Sequence, residues 1–477
     1  MKIQQLITYK FYIFLGVPFL LFFALQLLGF DGLYGQDSYE YLRYTKAIQN
    51  YFTTGEHPNA FYWPVLYPFI GSILGFIFGN VVFGLHFLSA ISIGISCVYL
   101  YKTLEILYPK KTTTNFYYVF TFGLLSPYFL RAGLLVMSDM FAAMCIVLTT
   151  YQFIKSYIKK TSISYVFIFA TCALMVRYAT LVITFPMIIF SLYFVIKQRN
   201  WKAIIVGSIW SLIICIPFII LQWDNLVGGT SNYFLNAWSI ENYFKTSHTS
   251  VDGTSTYLLP NILFVFSILV HPGFLFFGVF ALYFILKRYN VLFTFSQKII
   301  TISIACYLLF LAGIPFQNIR VLTLIFPLVL LFFFLPFYEI TQFKLIKKHT
   351  ISIAILCILF QLALSGYGFN TVFKRTFFEK EIAISLQPYQ GKKLYSFEYT
   401  PALKGRGLNF DFRSLYYEVH DDYKENDLIF FNPTKLAAQW NDKNPMKNWN
   451  HINTSFQLEV LESFEGGWNL YQIISKK

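Results

Sequence analysis

Residues 11–30 read FYIFLGVPFLLFFALQLLGF, a run of twenty residues without a charged side chain. A stretch of about twenty apolar residues is long enough to cross the hydrocarbon core of a bilayer as a helix. Similar runs recur along the chain, which is 56% hydrophobic, 21% aromatic and 13% charged. Soluble domains carry about 25% charged residues. The sequence therefore predicts a polytopic α-helical membrane protein.

The apolar runs predict about eleven transmembrane helices within a transmembrane domain of residues 1–373. Connectors on one side of these spans hold seventeen Lys and Arg residues, and those on the other side hold six. Because basic loops stay in the cytoplasm, the bias places the N-terminus there and the C-terminal tail outside. We expect a multi-pass protein of the bacterial cytoplasmic (inner) membrane. The predicted spans are 11–30, 81–101, 115–131, 135–154, 162–177, 180–196, 203–223, 261–286, 297–313, 320–338 and 350–367.

The first external loop, residues 31–80, contains a second apolar stretch that is too short to be an ordinary span. Val65–Gly79 has only about fifteen residues, and a crossing there would move Lys110, Lys111 and later basic clusters to the outside. We therefore expect this stretch to lie in the membrane interface or to re-enter. The loop is predicted to hold two interfacial helices joined around Gly55–Pro64.

Beyond the last span, residues 374–477 have a different composition, with 14 basic against 13 acidic residues. Lys393–Tyr399 and Asp427–Phe431 have the composition of short strands, and residues 455–474 predict two more around a Gly-Gly turn. We expect a small external α/β domain. Because it has no phosphate loop, metal cluster or nucleophile motif, its predicted role is recognition or packing.

Charge and cysteine placement exclude two classes of site. The formal net charge of +14 comes mainly from residues 1–373, where basic loops set orientation, so a nucleic-acid partner is not expected. All six cysteines fall in apolar runs, which predicts buried thiols rather than disulfides or a cysteine metal site. They are Cys97, Cys145, Cys172, Cys215, Cys306 and Cys357.

The ends of the spans on the external side collect the unusual charged residues. Asp37 follows the first span, and a carboxylate beside a membrane is costly enough to suggest a functional role. Arg131, Arg177 and Arg320 lie near external span ends, and Asp139 starts another span. Guanidinium groups bind phosphate oxygens in a planar fork, so the cluster suits a lipid-linked phosphate. The alternative is that each arginine only reaches toward lipid headgroups.

The two polar external loops add further candidates. His57 could hydrogen-bond a substrate, although a structural histidine is the simpler interpretation. The loop Asp224–Pro260 is polar with interspersed aromatic residues, and its length suits either a binding loop or an aromatic belt at the interface.

Five segments, in their order along the chain, resemble motifs of the GT-C membrane glycosyltransferases. The resemblance is strongest to the branch of protein O-mannosyltransferases and the lipid A aminoarabinose transferase. The resemblance covers most of residues 10–340. The segments are Gly35-Gln-Asp-Ser-Tyr-Glu-Tyr-Leu42, Tyr62-Trp-Pro-Val-Leu-Tyr-Pro68, Ser126-Pro127 with Ser138-Asp139, Met175-Val-Arg-Tyr-Ala179, and Gln317-Asn-Ile-Arg320 with Pro327.

The resemblance implies transfer of a sugar from a polyprenyl-phosphate donor to a glycan, lipid or protein acceptor, with inversion. It assigns Asp37 as the base that takes the acceptor proton, a role that suits a carboxylate opposite the leaving phosphate. No metal ligands or certain cofactor follow from the sequence, and a divalent metal stays possible. Candidate substrate-binding residues are Glu40, His57, Tyr62, Arg131, Asp139, Arg177 and Arg320.

Two other functions stay open on the sequence. A polytopic transporter or lipid flippase would also have sparse charges in apolar helices. A non-catalytic assembly factor would use Asp37 as a helix cap or interfacial anchor. The sugar and the acceptor are not specified by the sequence.

Overall fold

The structure is a computed structural model that describes residues 9–223, 236–250, 253–274, 277–292 and 294–477. The expectation for the loop Asp224–Pro260 falls in part on residues 224–235 and 251–252, which lie outside the described residues.

The described chain is mainly helical. The α-helices are, in order, α1 Lys10–Leu27, α2 Gly35–Thr54, α3 Leu66–Phe78, α4 Val81–Leu107, α5 Thr112–Tyr118, α6 Pro127–Gly133, α7 Asp139–Lys159, α8 Ser164–Val176, α9 Thr180–Gln198, α10 Trp201–Leu221, α11 Asn261–Phe266, α12 Phe277–Leu292, α13 Phe295–Ala312, α14 Phe326–Thr341, α15 Lys344–Lys348, α16 Thr350–Leu386, α17 Thr400–Gly405, α18 Pro433–Trp440 and α19 Asn444–Ser455.

Within the described residues, seven helices are long and apolar enough to cross a membrane: α1, α4, α7, α9, α10, α13 and α16. Five shorter apolar helices accompany them, at Leu66–Phe78, Ser164–Val176, Asn261–Val270, Phe277–Lys287 and Phe326–Thr341. The prediction of a multi-pass helical membrane protein is confirmed, whereas the count of eleven spans stays a prediction.

Two of the predicted spans are interrupted by proline. The span 115–131 consists of α5, a π-helical turn and α6, and the chain breaks at Ser126-Pro127. The span 261–286 breaks at His271-Pro272-Gly273, between α11 and α12. Proline has no backbone N–H and clashes with the preceding turn, so a continuous helix ends there. At the second break His271 Nδ1 lies 2.9 Å from the Gly273 nitrogen, and Gln361 Nε2 donates to the Gly273 carbonyl at 2.8 Å.

The first loop folds as a helix pair, α2 and α3, joined by residues 55–65. Gln49 of α2 donates from Nε2 to the Ser72 carbonyl of α3 at 2.9 Å. A Cβ on Gly75 would meet Gln49 Nε2 at 2.8 Å, so glycine there permits the close approach. The length of α3 is 13 residues, or about 20 Å at ~1.5 Å per residue, which is short for a crossing.

Contacts divide the chain into two compact units. The first contains Met1–Leu33, Tyr44–Thr246 and Tyr257–Asn370, and the second contains Tyr34–Arg43, Ser247–Thr256 and Thr371–Lys477. One boundary falls inside α2 and another inside α16, so the start of the first-loop helix belongs with the C-terminal region.

The second unit contains a two-stranded hairpin and a five-stranded sheet. The hairpin has β1 Ser247–Ser250 and β2 Gly253–Thr256, and the sheet has β3 Lys393–Ser396, β4 Asp411–Ser414, β5 Leu428–Phe431, β6 Phe456–Phe464 and β7 Trp468–Lys476. The order of the strands in the sheet is β4-β3-β5-β7-β6. β3 pairs in parallel with β4 and β5, while β7 is antiparallel to β5 and β6. The turn between β6 and β7 uses Gly466 and Gly467 at φ 75° and 83°, which glycine adopts without strain.

The core of this sheet domain is aromatic. Leu394, Ile429, Phe430 and Leu470 are fully buried, and the Phe430 ring stacks on Trp468 with centroids 5.1 Å apart. Burial of this many large apolar side chains explains how a domain of modest size folds without disulfides. The small C-terminal sheet domain expected from the sequence is therefore present.

Candidate active site

Asp139, the first residue of α7, is fully buried and lies between two arginines. Its Oδ1 is 3.1 Å from Arg177 Nη2, and its Oδ2 is 2.9 Å from Arg320 Nε. The position at the helix N-terminus adds to the stabilisation, since the helix dipole favours negative charge there. Three residues that were separate candidates in the sequence thus form one cluster, the Asp139 cluster.

Arg177 is held by the break between α8 and α9. Its backbone is extended, with φ −153° and ψ 125°, and its N–H donates to the Ala173 carbonyl at 2.9 Å. The Arg177 carbonyl accepts the Thr180 hydroxyl at 2.8 Å. Its Nε donates to Ser138 Oγ at 3.0 Å, so the arginine contacts both residues of the Ser138-Asp139 pair.

Arg320 lies in a 3₁₀ helix, Ile319–Leu324, that precedes α14. The side chain of Asn318 caps this helix, since Oδ1 accepts the Arg320 N–H at 2.9 Å. Tyr307 of α13 is fully buried and donates its hydroxyl to the Val321 carbonyl at 2.9 Å. The Asn318 cap and the Tyr307 hydrogen bond therefore hold the backbone from which the Arg320 side chain extends.

A hydrogen-bonded chain from the first loop supports the residues before Asp139. The hydroxyl of Tyr67, in the segment that carried the family resemblance, is 2.7 Å from Ser89 Oγ. Ser89 donates in turn to the Met137 carbonyl at 3.1 Å. The Val136 N–H donates to the Gly32 carbonyl at 2.8 Å. These contacts connect the residues after α1 and the start of α3 to the segment that precedes Asp139.

The Asp139 cluster has an excess of positive charge, because two guanidinium groups face one carboxylate. Arg177 and Arg320 are 12% and 23% exposed, so their charges are poorly screened. A guanidinium carries five N–H donors and can hold a carboxylate and a phosphate together. The arrangement can therefore bind a phosphate group.

Arg131 does not join this cluster. It lies at the end of α6 and is exposed. Across the described ranges, no ion pair links it to a carboxylate. Its expected contact with phosphate stays a prediction.

Asp37 is the third residue of α2 and half-buried. Tyr39 lies two residues later and is buried. Its hydroxyl donates a hydrogen bond to Glu379 Oε2 at 2.6 Å. Glu379 lies near the end of α16. The segment that carries Asp37 is thus attached to the long helix that leads into the sheet domain.

Glu379 was not singled out by the sequence. Its carboxylate is fully buried, with Arg375 Nε at 3.0 Å and Arg406 Nη2 at 3.9 Å. Arg375 also contacts Glu398 at 3.3 Å and lies over the Tyr399 ring at 5.3 Å. One sequence signal could have indicated this ion pair: Arg375 and Glu379 are four residues apart in a helix that continues an apolar span.

The other first-loop candidates have mainly structural contacts. Glu40 pairs with Arg43 Nε at 2.9 Å, and both side chains are about two-fifths exposed. His57 places Nδ1 3.0 Å from the Pro58 carbonyl and Nε2 3.0 Å from the Ile220 carbonyl, which joins the loop to α10. Tyr62 is 41% exposed and packs edge-on against Trp63. Their roles as substrate contacts stay predictions.

Within the part of the chain that the structure describes, no group of three His, Cys, Asp or Glu side chains could hold a metal ion. The six cysteines are unpaired thiols.

Comparison with known proteins adds two findings. Residues 62–223 match the family described as dolichyl-phosphate-mannose-protein mannosyltransferase. That segment includes Tyr67, Arg131, Asp139 and Arg177. Among curated proteins, no sequence matches the chain.

Two solved structures share its architecture over nearly the whole length. ArnT from Cupriavidus metallidurans bound to undecaprenyl phosphate superposes with a TM-score of 0.58 at 11% identity, over 96% of this chain and 97% of that one. The same protein in the apo state gives a TM-score of 0.59 at 12% identity, over 95% and 97%. This chain has the same fold as ArnT.

The GT-C resemblance expected from the sequence is therefore confirmed at the level of the family match and the fold. At this identity the likeness to ArnT concerns the fold alone, so the site residues are argued from their own geometry.

Proposed function

We propose that this protein is an integral membrane glycosyltransferase that takes a sugar from a polyprenyl-phosphate donor at the outer face of the membrane. The observation that carries this proposal is the Asp139 cluster, in which two arginines from different helix breaks converge on one buried carboxylate. The undecaprenyl phosphate bound to ArnT, which shares this fold, supports the class of lipid.

The cluster suits the leaving group of the reaction. When the bond between the anomeric carbon and the phosphate oxygen breaks, the lipid phosphate leaves with the electron pair and gains negative charge. Fixed guanidinium groups stabilise that charge most strongly where water is scarce. Asp139 keeps Arg177 and Arg320 oriented before the donor binds, so little reorganisation is needed.

Asp37 is the proposed base. The acceptor hydroxyl oxygen attacks the anomeric carbon, and its proton passes to the Asp37 carboxylate in one displacement that inverts the configuration. Glu40, His57 and Tyr62 are proposed to contact donor or acceptor, and Arg131 to contact the phosphate. Tyr39 and Glu379 position the helix that carries Asp37.

The direct test is release of polyprenyl phosphate. The purified full-length protein is incubated with lipid-linked sugars extracted from the source membranes, and free polyprenyl phosphate is quantified by mass spectrometry. A transferase releases it in a manner that depends on acceptor and on Asp37, whereas Asp37→Asn retains binding of undecaprenyl phosphate without release. If lipid moved between leaflets with the sugar still attached, the alternative of a lipid flippase or transporter would replace our proposal.

A further inference from the structure

A cavity lies at the opposite end of the first unit from the Asp139 cluster. Its volume is about 500 Å³, and it is formed where α7 meets α8 and where α9 meets α10. Both connections are short, residues 160–163 and 199–200. Lys160 and Arg199 end their helices in the left-handed region, at φ 51° and 55°.

The position of this cavity follows from α7, which begins at Asp139 and ends at Lys159. Its 21 residues span about 30 Å at ~1.5 Å per residue, close to the thickness of a bilayer core. The cavity is therefore not the phosphate site proposed above. The two connections that form the cavity belong to the side of the protein with more Lys and Arg residues, which indicates the cytoplasmic side.

The entrance of the cavity is basic and polar. Lys160 and Lys202 line it together with Gln198 and Asn200, all of them exposed. Among the described residues that line it, none is acidic. An occupant with a negative charge and several hydrogen-bond acceptors complements this entrance.

The part of the wall that α10 forms beyond Lys202 is apolar. Val206 and Trp210 of α10 line the cavity on the same helix as Lys202. From Lys202 to Trp210 the helix rises about 12 Å, at ~1.5 Å per residue, so the wall continues into the depth of the acyl chains. Trp210 is 52% exposed, which suits an amphipathic ring at a lipid contact.

We propose that this cavity binds the phosphate headgroup of an anionic glycerophospholipid from the cytoplasmic leaflet. Lys160 and Lys202 contact the phosphate, Gln198 and Asn200 the remaining headgroup, and the wall of Val206 and Trp210 packs against an acyl chain. A free phosphate would leave that wall exposed, and basic pockets between transmembrane helices are suited to anionic headgroups.

The chain offers a matched control for the general attraction between basic loops and anionic lipid. Lys159 and Lys197 adjoin the same two connections but are not among the residues that line the cavity. The site variant is Lys160→Asn with Lys202→Gln; asparagine tolerates the left-handed conformation at position 160. The control variant is Lys159→Gln with Lys197→Gln, which removes the same charge.

The experiment uses the full-length protein in nanodiscs of phosphatidylcholine that contain a minor fraction of phosphatidylglycerol. Native mass spectrometry counts the phospholipid molecules that stay bound after gentle removal of the disc. We expect retention of phosphatidylglycerol by the wild type, roughly 25-fold weaker retention by the site variant, and near wild-type retention by the control.

Four outcomes would overturn the proposal. They are equal losses in both variants, equal retention of phosphatidylcholine, displacement of phosphatidylglycerol by inorganic phosphate, and its displacement by undecaprenyl phosphate. The site variant must also give the same circular dichroism spectrum and the same unfolding temperature as the wild type. Because the cavity is separate from the Asp139 cluster, the proposal can fail while the transferase assay succeeds, and the reverse.

Discussion

The Tyr39 hydroxyl donates a 2.6 Å hydrogen bond to the buried Glu379 carboxylate, across 340 residues of sequence. Tyr39 follows Asp37 by two residues on α2, and Glu379 lies on α16, which continues into the sheet domain. The second unit thus includes the segment that carries the proposed base. The expected role of the C-terminal domain in recognition or packing stays a prediction.

We predict that Tyr39→Phe lowers stability by about 2 kcal/mol, because a hydrogen bond to a buried charged group is lost. Thermal unfolding in detergent measures the change. The matched control is Tyr51→Phe on the same helix, whose hydroxyl has no hydrogen bond within the described residues. Combining Tyr39→Phe with Glu379→Gln should cost less than the sum of the two changes. Strict additivity would contradict the pairing.

Gly405 has no room for a side chain. A Cβ there would overlap the Tyr39 ring. We predict that Gly405→Ala costs about 1–3 kcal/mol by overpacking and also slows turnover by displacing α2. Gly368→Ala is the control, since a Cβ at that helical position meets nothing within 4 Å. Unfolding temperature and initial rate are both measured, and a wild-type rate in a destabilised Gly405→Ala would separate Tyr39 packing from catalysis.

For Asp37→Asn we predict a fall in kcat of about 10²–10⁴-fold, the range that a positioned general base contributes. Binding of undecaprenyl phosphate should change less than twofold, because the amide keeps the shape of the side chain. Glu40→Gln removes a neighbouring carboxylate that pairs with Arg43 and should cost far less in kcat. Rates are followed by release of polyprenyl phosphate. Unchanged turnover in Asp37→Asn would remove Asp37 from the mechanism.

Substitution of Arg131, Arg177 and Arg320 should affect the binding of undecaprenyl phosphate to different degrees, because their contacts differ. We predict that Arg177→Gln and Arg320→Gln each weaken binding of undecaprenyl phosphate at least tenfold, which corresponds to loss of a charge-assisted contact of about 1.4 kcal/mol. Arg131→Gln should weaken it by less than these two, because Arg131 lies outside the Asp139 cluster. Binding is measured by microscale thermophoresis in detergent. An equal loss in all three variants would favour a general electrostatic effect.

In the sheet domain, the hydrogen bond from Lys393 to Asp422 lowers the pKa of that carboxyl. A lowered folded-state pKa contributes stability above the ordinary value of about 4, and this stability is lost as pH falls through the folded pKa. We therefore predict that Asp422→Asn destabilises the protein at pH 7 and that its difference from wild type shrinks toward pH 3. Thermal unfolding at both pH values checks this.

Two carboxyls near Asp422 serve as references. Burial raises the pKa of Asp427, so its ionised form costs stability at neutral pH. This cost begins to fall when pH drops below the folded pKa and is gone below the ordinary pKa. Asp421 is exposed, and within the described residues it forms no ion pair. Asp421→Asn should therefore follow the wild type at both pH values, and a pH-independent deficit in Asp422→Asn would argue against the Lys393 contact.

The sequence was sufficient for features that depend on local composition. The apolar run 81–101 predicts a membrane helix, because each charged residue placed in lipid carries its own energetic cost, and α4 (Val81–Leu107) is long and apolar enough to cross a membrane. The same reasoning predicted that Val65–Gly79 is too short for an ordinary span, and it placed Asp139 and Arg177 near helix ends. The predicted spans 115–131 and 261–286 gave no lengths for the helical pieces that Pro127 and Pro272 separate.

Only the tertiary structure decided which charges meet. Arg177 and Arg320 converge on Asp139, whereas Arg131 was an equally good candidate by sequence. Tyr39 and Glu379 carry no sequence pattern that pairs them. Such contacts depend on how helices pack, and packing is determined jointly by side chains far apart along the chain. The sequence by itself determined a membrane protein with charged helix ends, and the fold determined which of those ends meet in the Asp139 cluster.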